Sequence, residues 1–207
     1  MTSILTGDIV NSRAAGSQQV WLEPLKELLS GFGEAPKVWE IYRGDSFQLE
    51  VQKPQEAFRT ALRIKACIKS AGNLDVRMAI GIGAKSFEAP RITESNGEAF
   101  IRSGETFESL KKLRKNLAIR SPWPDTDKTL NLMIDLAAMS MDRWSPSSAR
   151  LIALLLTNPE LTQQELGDRL GKNQSSVSES QKRAHYQQMA ALESYFRETI
   201  AAHLQLP

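Results

Sequence analysis

WEIYRGDSFQLEV, residues 39–51, places two runs of alternating apolar and polar side chains on either side of Arg43-Gly44-Asp45. Alternation with period two is what a strand shows when one face is buried, and a short Gly-containing turn between two such runs signals a hairpin. Asp45 is therefore expected at a hairpin tip. Before the hairpin, TSILTGDIV is rich in strand formers and is broken by NSRAAGS. QQVWLEPLKELLSGF then spaces Val20, Leu22, Leu25, Leu28 and Leu29 for one helical face. After the hairpin, QEAFRTALRIKACIKSA reads as an amphipathic helix. DVRMAIGIG reads as a strand that alternates Val76, Met78, Ile80 and Ile82 with polar or small residues. A third helix over GEAFIRSGETFESLKKLRK and a short strand in NLAIRS follow. The order β-α-β-β-α-β, with one further helix and strand, predicts an α+β chain built on the split βαβ or ferredoxin-like arrangement.

The 207 residues, 41% of them hydrophobic, suffice for one good core plus a small appended module. Lys and Arg number 26 against 24 Asp and Glu, and a net charge of +2 excludes a partner recruited by bulk electrostatics alone. The single Cys67 allows no disulfide framework and reads as a buried free thiol in a reducing compartment. No apolar run approaches the length of a membrane span, and the start MTSILTGDIV has no basic n-region, so a cytoplasmic chain is expected.

SPWPDTD and RWSPSS interrupt the pattern around a helical KTLNLMIDLAAMSMD. They divide the chain into a first domain over residues 1–120, a linker and connector helix over 121–144, and a helical domain over 145–207. In the last, Ser145 caps a helix that opens on Pro146, and Thr162 with Glu165 has the spacing of a capping box. Gly171 suits a left-handed turn before a further helix through Val177. The final helix is expected to run on from Ala184. Its stripe of Met189, Leu192, Phe196 and Ile200 needs cover, either from the first domain or from the same helix of another chain, which would make a homodimer. His185 and His203 are too far apart for a metal pair and are expected to face solvent.

Asp8, at the end of the first strand, and Asp45, at the hairpin tip, converge if those strands are neighbours. Two such carboxylates either serve their own turns or hold a cation between them. Mg²⁺ is then the natural occupant, because it takes oxygen ligands and completes its octahedron with water and phosphate. Gly44 in the turn, and Gly81 and Gly83, which leave one face of their strand without bulk, are the candidate nucleotide-binding positions.

ILTGDIVNSR looks like the first metal-binding segment of class III nucleotide cyclases, and EIYRGDSFQLEV resembles both their second metal hairpin and the GGDEF turn of diguanylate cyclases. DVRMAIGIG is similar to the strand after their second helix, and ESNGEAFIRSGE falls where a cyclase carries its catalytic Asn and Arg. The combination resembles the SatD family, small bacterial proteins with a cyclase-like palm. The resemblance covers residues 3–112 and implies that Asp8 and Asp45 are the metal ligands. It also puts Ile101 at the transition-state Asn position, Glu105 at the Arg position, Ile41 at a purine-selecting Lys and Arg43 at the first Gly of GGDEF. Ile101 and Glu105 cannot stabilise developing phosphoryl charge. The resemblance thus implies Mg²⁺-dependent nucleotide binding more strongly than turnover, with a nucleotidyl cyclase or nucleotidyltransferase as the alternative.

LTQQELGDRLG followed by SSVS resembles bacterial helix-turn-helix regulators, which implies a DNA partner and a transcriptional role. The third helix would then offer Asn173, Gln174, Ser175, Ser178 and Gln181 to bases or sugars, and Lys172, Lys182 and Arg183 to phosphate. A helical protein-interaction module is the competing reading, because the six basic residues from Ser145 onward are matched by six acidic ones.

Overall fold

The computed structural model describes residues 1–14 and 17–205; Ala15 and Gly16, in the expected break NSRAAGS, lie outside the described residues. The first part of the chain runs β1 (Thr2–Val10), α1 (Gln19–Ser30), β2 (Trp39–Tyr42), β3 (Ser46–Val51), α2 (Ala57–Ser70), β4 (Asp75–Gly83), α3 (Glu98–Leu113) and β5 (Leu117–Arg120). It continues with α4 (Pro124–Met141), α5 (Pro146–Thr157), α6 (Gln163–Leu170), α7 (Gln174–Arg183) and α8 (Tyr186–Gln205). The chain is α+β, with a five-stranded mixed sheet in the order β2-β3-β1-β4-β5. Neighbours are antiparallel except β4 and β5, which are parallel and joined through α3. No helix among the described residues is long and apolar enough to cross a membrane.

The period-two reading of β4 separates the two faces of the sheet. Val76, Met78, Ile80 and Ile82 point with Leu5, Phe47 and Leu49 into the main core under α1 and α2. Ile4 points the other way, into a small cluster with Ala99 and Phe100 of α3. Buried on both faces, β1 has a nearly unbroken run of buried residues, polar Thr2, Ser3 and Thr6 among them, rather than alternation. In α1 the inward residues are Trp21, Leu25 and Leu29, whereas Val20, expected on that face, is 51% exposed. Trp21, at 1% exposed, takes the inward place and its neighbour points out.

Two expectations about the helical part need correction. The interruption expected at SPWPDTD is confined to residues 121–123, and α4 starts at Pro124 rather than at Lys128; a missing amide hydrogen costs nothing there, and Asp125 and Asp127 stand in the first turn. The last helix was expected to continue from Ala184, yet α7 ends at Arg183 and His185 takes a left-handed φ of 52°. The freed Ala184 carbonyl accepts bonds from Trp144 Nε1 at 3.2 Å and Ser140 Oγ at 3.4 Å, so the break is tied to α4.

Beyond that break α8 packs on α2. Phe196 stacks on Phe58 of α2 with ring centroids 5.4 Å apart, and Met189, Phe196 and Ile200 belong to the same core as the sheet. The apolar stripe of α8 is thus largely covered within the chain. His203 does not face solvent; it stacks on Trp123 at 4.3 Å and shares a hydrogen bond with Thr126. The expected boundary at residue 145 is not marked by a gap in the core, because Ala149, Ile152 and Leu156 of α5 pack with the residues of α2.

Candidate functional site

Register decides where the carboxylates sit. Asp8 lies across from Ser46 on one side and Arg77 on the other, and the Ile9 amide donates to the Asp45 carbonyl at 3.0 Å. The hairpin tip is therefore held against the end of β1, bringing Asp8 and Asp45 to one edge of the sheet. Arg43 and Gly44 both have positive φ, 52° and 89°, as a tight hairpin turn with right-handed strand twist requires. Gly7, one residue before Asp8, has no room for a side chain, since a Cβ there would lie 2.6 Å from the Phe47 ring.

The two aspartates differ in their surroundings. The Asp45 carboxylate accepts a bond from Ser12 Oγ at 2.7 Å. Asp8 Oδ2 lies 3.3 Å from the Arg77 guanidinium, while its Oδ1 is buried and has no hydrogen-bond partner. Burial pushes the Asp8 carboxyl above the usual carboxylate range; Arg77 opposes that, the Asp45 charge adds to it, and Lys111 again opposes. A carboxyl raised in this way favours the fold when protonated. Its contribution is full below the unfolded pKa and is lost as pH rises through the folded one. When Asp8 is ionised its Oδ1 has no positive partner, and a cation shared with Asp45 would supply one.

Beside this edge is a hollow of about 520 Å³ lined by Asp8, Arg77 and the C-terminal half of α3, with Phe107, Glu108, Lys111 and Lys112. Lys111, Lys112 and Arg77 make it a place for an anionic group next to the carboxylates. Sequence reasoning missed this trio, because nothing in the helical stretch that holds the lysines ties them to Asp8 or Arg77. Among the described residues no three His, Cys, Asp or Glu side chains cluster as a metal site, so a cation here would take two protein carboxylates and fill its remaining positions from water or phosphate.

The three glycines do not gather at this edge. Gly44 does, at the tip, with open space around it. Gly81 pairs with Ile4 and Gly83 with Thr2, so they lie about 13 and 20 Å along β1 from Asp8. Both face α3. A Cβ on Gly81 would run into the Ala99 carbonyl and the Ser103 amide, and one on Gly83 would lie 2.7 Å from the Glu98 Cβ. Their missing bulk admits a helix rather than a ligand. Ile101 is half exposed on α3 and Glu105 pairs with Arg120, so neither is directed to the carboxylate edge by its contacts. Burial pushes the Cys67 thiol up to about 11, which leaves it unreactive.

At the other candidate site, Thr162 and Glu165 form the capping box, with Thr162 accepting from the Glu165 amide and Glu165 accepting from the Thr162 amide. Gly171 ends α6 with φ 62° and ψ 38°. Gly167 faces the turn between α6 and α7 so closely that a Cβ would lie 2.5 Å from the Lys172 carbonyl. Leu151, Leu155, Leu166 and Val177 make a small core of their own. Ser180, where an apolar residue would be usual, is buried with its hydroxyl bonded back to the Ser176 carbonyl at 2.7 Å.

The outer face of α7 presents Gln174, Ser175, Ser178 and Gln181, with Lys182 and Arg183 at its end. Asn173, expected to reach bases or sugars, caps α7 by accepting from the Ser176 amide at 2.8 Å. Lys172 donates to Ser147 Oγ at 2.6 Å. Comparison with protein families, with curated proteins and with solved structures finds no match.

Proposed function

We propose that this chain is a DNA-binding transcriptional regulator of the SatD kind, in which a cyclase-like palm senses a Mg²⁺-bound nucleotide. The observation that carries the DNA reading is the α6–α7 pair: a left-handed Gly171, a Gly167 that lets the turn approach, and a small core beneath an exposed polar face on α7. This is what a helix-turn-helix needs to lay its second helix in the major groove. In that reading Gln174, Ser178 and Gln181 face base edges, while Lys182 and Arg183 meet phosphates. The palm reading is supported by the strand order β2-β3-β1-β4, the one a split βαβ palm requires.

Selection of bound genomic fragments at low salt tests the first part. Gln174→Ala is expected to lower preference for the selected sequence about tenfold, as loss of one good base contact does. Lys182→Ala and Arg183→Ala should weaken binding to every sequence and reduce the salt slope by about 1 each. A selection that enriches no sequence removes the regulator reading.

The second part rests on Asp8 and Asp45. They would hold the Mg²⁺, which when bound supplies a seat for phosphate oxygens, and Lys111, Lys112 and Arg77 would take the rest of the phosphate charge. Asp45→Asn keeps an oxygen acceptor for Ser12 and removes a charge. It is expected to abolish Mg²⁺-dependent nucleotide binding in calorimetry while shifting the thermal midpoint by no more than about 4 °C. The unpartnered Asp8 Oδ1 also favours a second reading, a metal-dependent nucleotidyl cyclase or nucleotidyltransferase. Chromatography of each nucleoside triphosphate after incubation with protein and Mg²⁺ separates the two, because only the enzyme leaves a product.

A further inference from the structure

Leu132, Leu136 and Met139, three of the nine large apolar side chains most exposed among the described residues, stand on α4, and Leu113 of α3 and Tyr195 of α8 line the hollows beside it. Scattered singly such side chains would need no account, but three on one face of a helix do. Between this face and α8 runs a groove of about 800 Å³ lined by Leu136 and Met139 on one side and Leu192 and Tyr195 on the other.

The order of residues along the stripe indicates what covers it. Asp125, Thr129, Leu132, Leu136, Met139 and Arg143 follow one another at steps of four, three, four, three and four, and all six are exposed. The first five lie on α4, where those steps keep them on one side of the helix, and Arg143 lies in the turn two residues past its end; the steps read the same from either end. The midpoint lies at the level of Ile134, which points the opposite way and is buried. A two-fold axis at that level, with a second α4 running antiparallel, sets Leu132 against Leu136 of the second copy and Thr129 against its Met139. It also sets Asp125 against Arg143, and each contact occurs twice. The flanking Lys128 then meets a neutral Ser140. Neighbouring acids do not disturb this match, because Asp135 is paired with Lys115 at 2.6 Å and Asp142 with Lys65 at 2.7 Å.

We infer that α4 is the interface of a two-fold homodimer, packed antiparallel on its own copy through the stripe from Asp125 to Arg143. The occupant is a second copy because the face is complementary to itself in charge and shape order, which is what an isologous contact requires. The alternating steps of three and four suit shallow helix crossing, with the groove receiving side chains of the copy. The seam is centred on α4 and not on the α8 stripe, which this chain largely covers by itself and of which Leu192 borders the groove.

Sedimentation or light scattering between about 1 and 100 µM chain tests it, since a Kd near 1 µM leaves mostly dimer at about 10 µM. Wild type is expected to be a dimer. Leu136→Glu, at an exposed position that does not disturb the fold, should raise Kd at least about a hundredfold. Asp125→Arg and Arg143→Asp should each raise it about tenfold, and the two together should restore it to within about threefold, because the reversed charges again face opposite ones. Circular dichroism confirms that each variant is folded. A wild type that is monomeric at 100 µM, a Leu136→Glu protein that remains dimeric, or a double reversal no better than the single ones overturns the proposal.

Discussion

Phe196→Ala is expected to destabilise the whole protein by about 3–5 kcal/mol and to lower its thermal midpoint by about 10 °C. The ring is 1% exposed and stacks on Phe58, so its removal leaves a cavity between α8 and α2 that neither helix can close without moving the other. One turn earlier Glu193 is buried, 3.8 Å from Arg59, and one of its carboxylate oxygens lacks a hydrogen-bond partner. A loosened α8 would therefore also weaken the partner of a buried charge, which adds to the loss. Phe196→Leu, which keeps most of the volume, should cost less than half as much. Because the sheet, α2, α4, α5 and α8 share one core, a single calorimetric transition is expected for wild type and variant alike. A loss under about 1 kcal/mol, or a variant in which only one of two transitions moves, would show that the helical part stands on its own core.

The shared core bears on function through α5. One of its faces, Ala149, Ile152 and Leu156, packs against α2, and the other, Leu151 and Leu155, supports α6 and α7. Arg59 of α2 donates to the Leu156 carbonyl at 2.7 Å, pinning the end of that helix. The packing of α5 thus joins α2 to the helix proposed to read DNA.

Local signals in the sequence were reliable where a single backbone conformation depends on them. The period-two runs around Arg43-Gly44-Asp45 gave the hairpin, the spacing of Thr162 and Glu165 gave the capping box, and Gly171 gave the left-handed turn. Features set by distant partners were not legible. Val20 and Trp21 are both apolar, and only the packing of the indole decides which is inside. The break at Ala184 and His185 depends on Trp144 and Ser140 forty residues away. Asn173 carries the same side chain whether it caps a helix or reads a base. Leu132, Leu136 and Met139 of the α4 stripe read in the sequence only as part of a helix, because they differ from the buried Leu130, Ile134 and Met141 in position alone.

The glycines of β4 are the sharpest such case, and Gly81→Ala is expected to destabilise the protein by about 3 kcal/mol or more. A glycine facing empty space and one facing a helix look alike in sequence. The structure places α3 so close to Gly81 that even the first carbon of a side chain would overlap the Ala99 carbonyl, the Ser103 amide and, at 2.8 Å, the Ser103 Cα. These are backbone atoms and cannot rotate away, so the helix must move as a body and forces the upper end of the usual overpacking cost. Ser103 adds to that cost, since its hydroxyl bonds Thr6 at 2.6 Å across the same contact. If Gly81 instead gave space to a nucleotide, Gly81→Ala would weaken nucleotide binding and leave unfolding unchanged. Urea denaturation without any ligand decides between them: a midpoint shifted by less than the equivalent of about 1 kcal/mol would return Gly81 to the ligand site, and a large shift assigns it to packing.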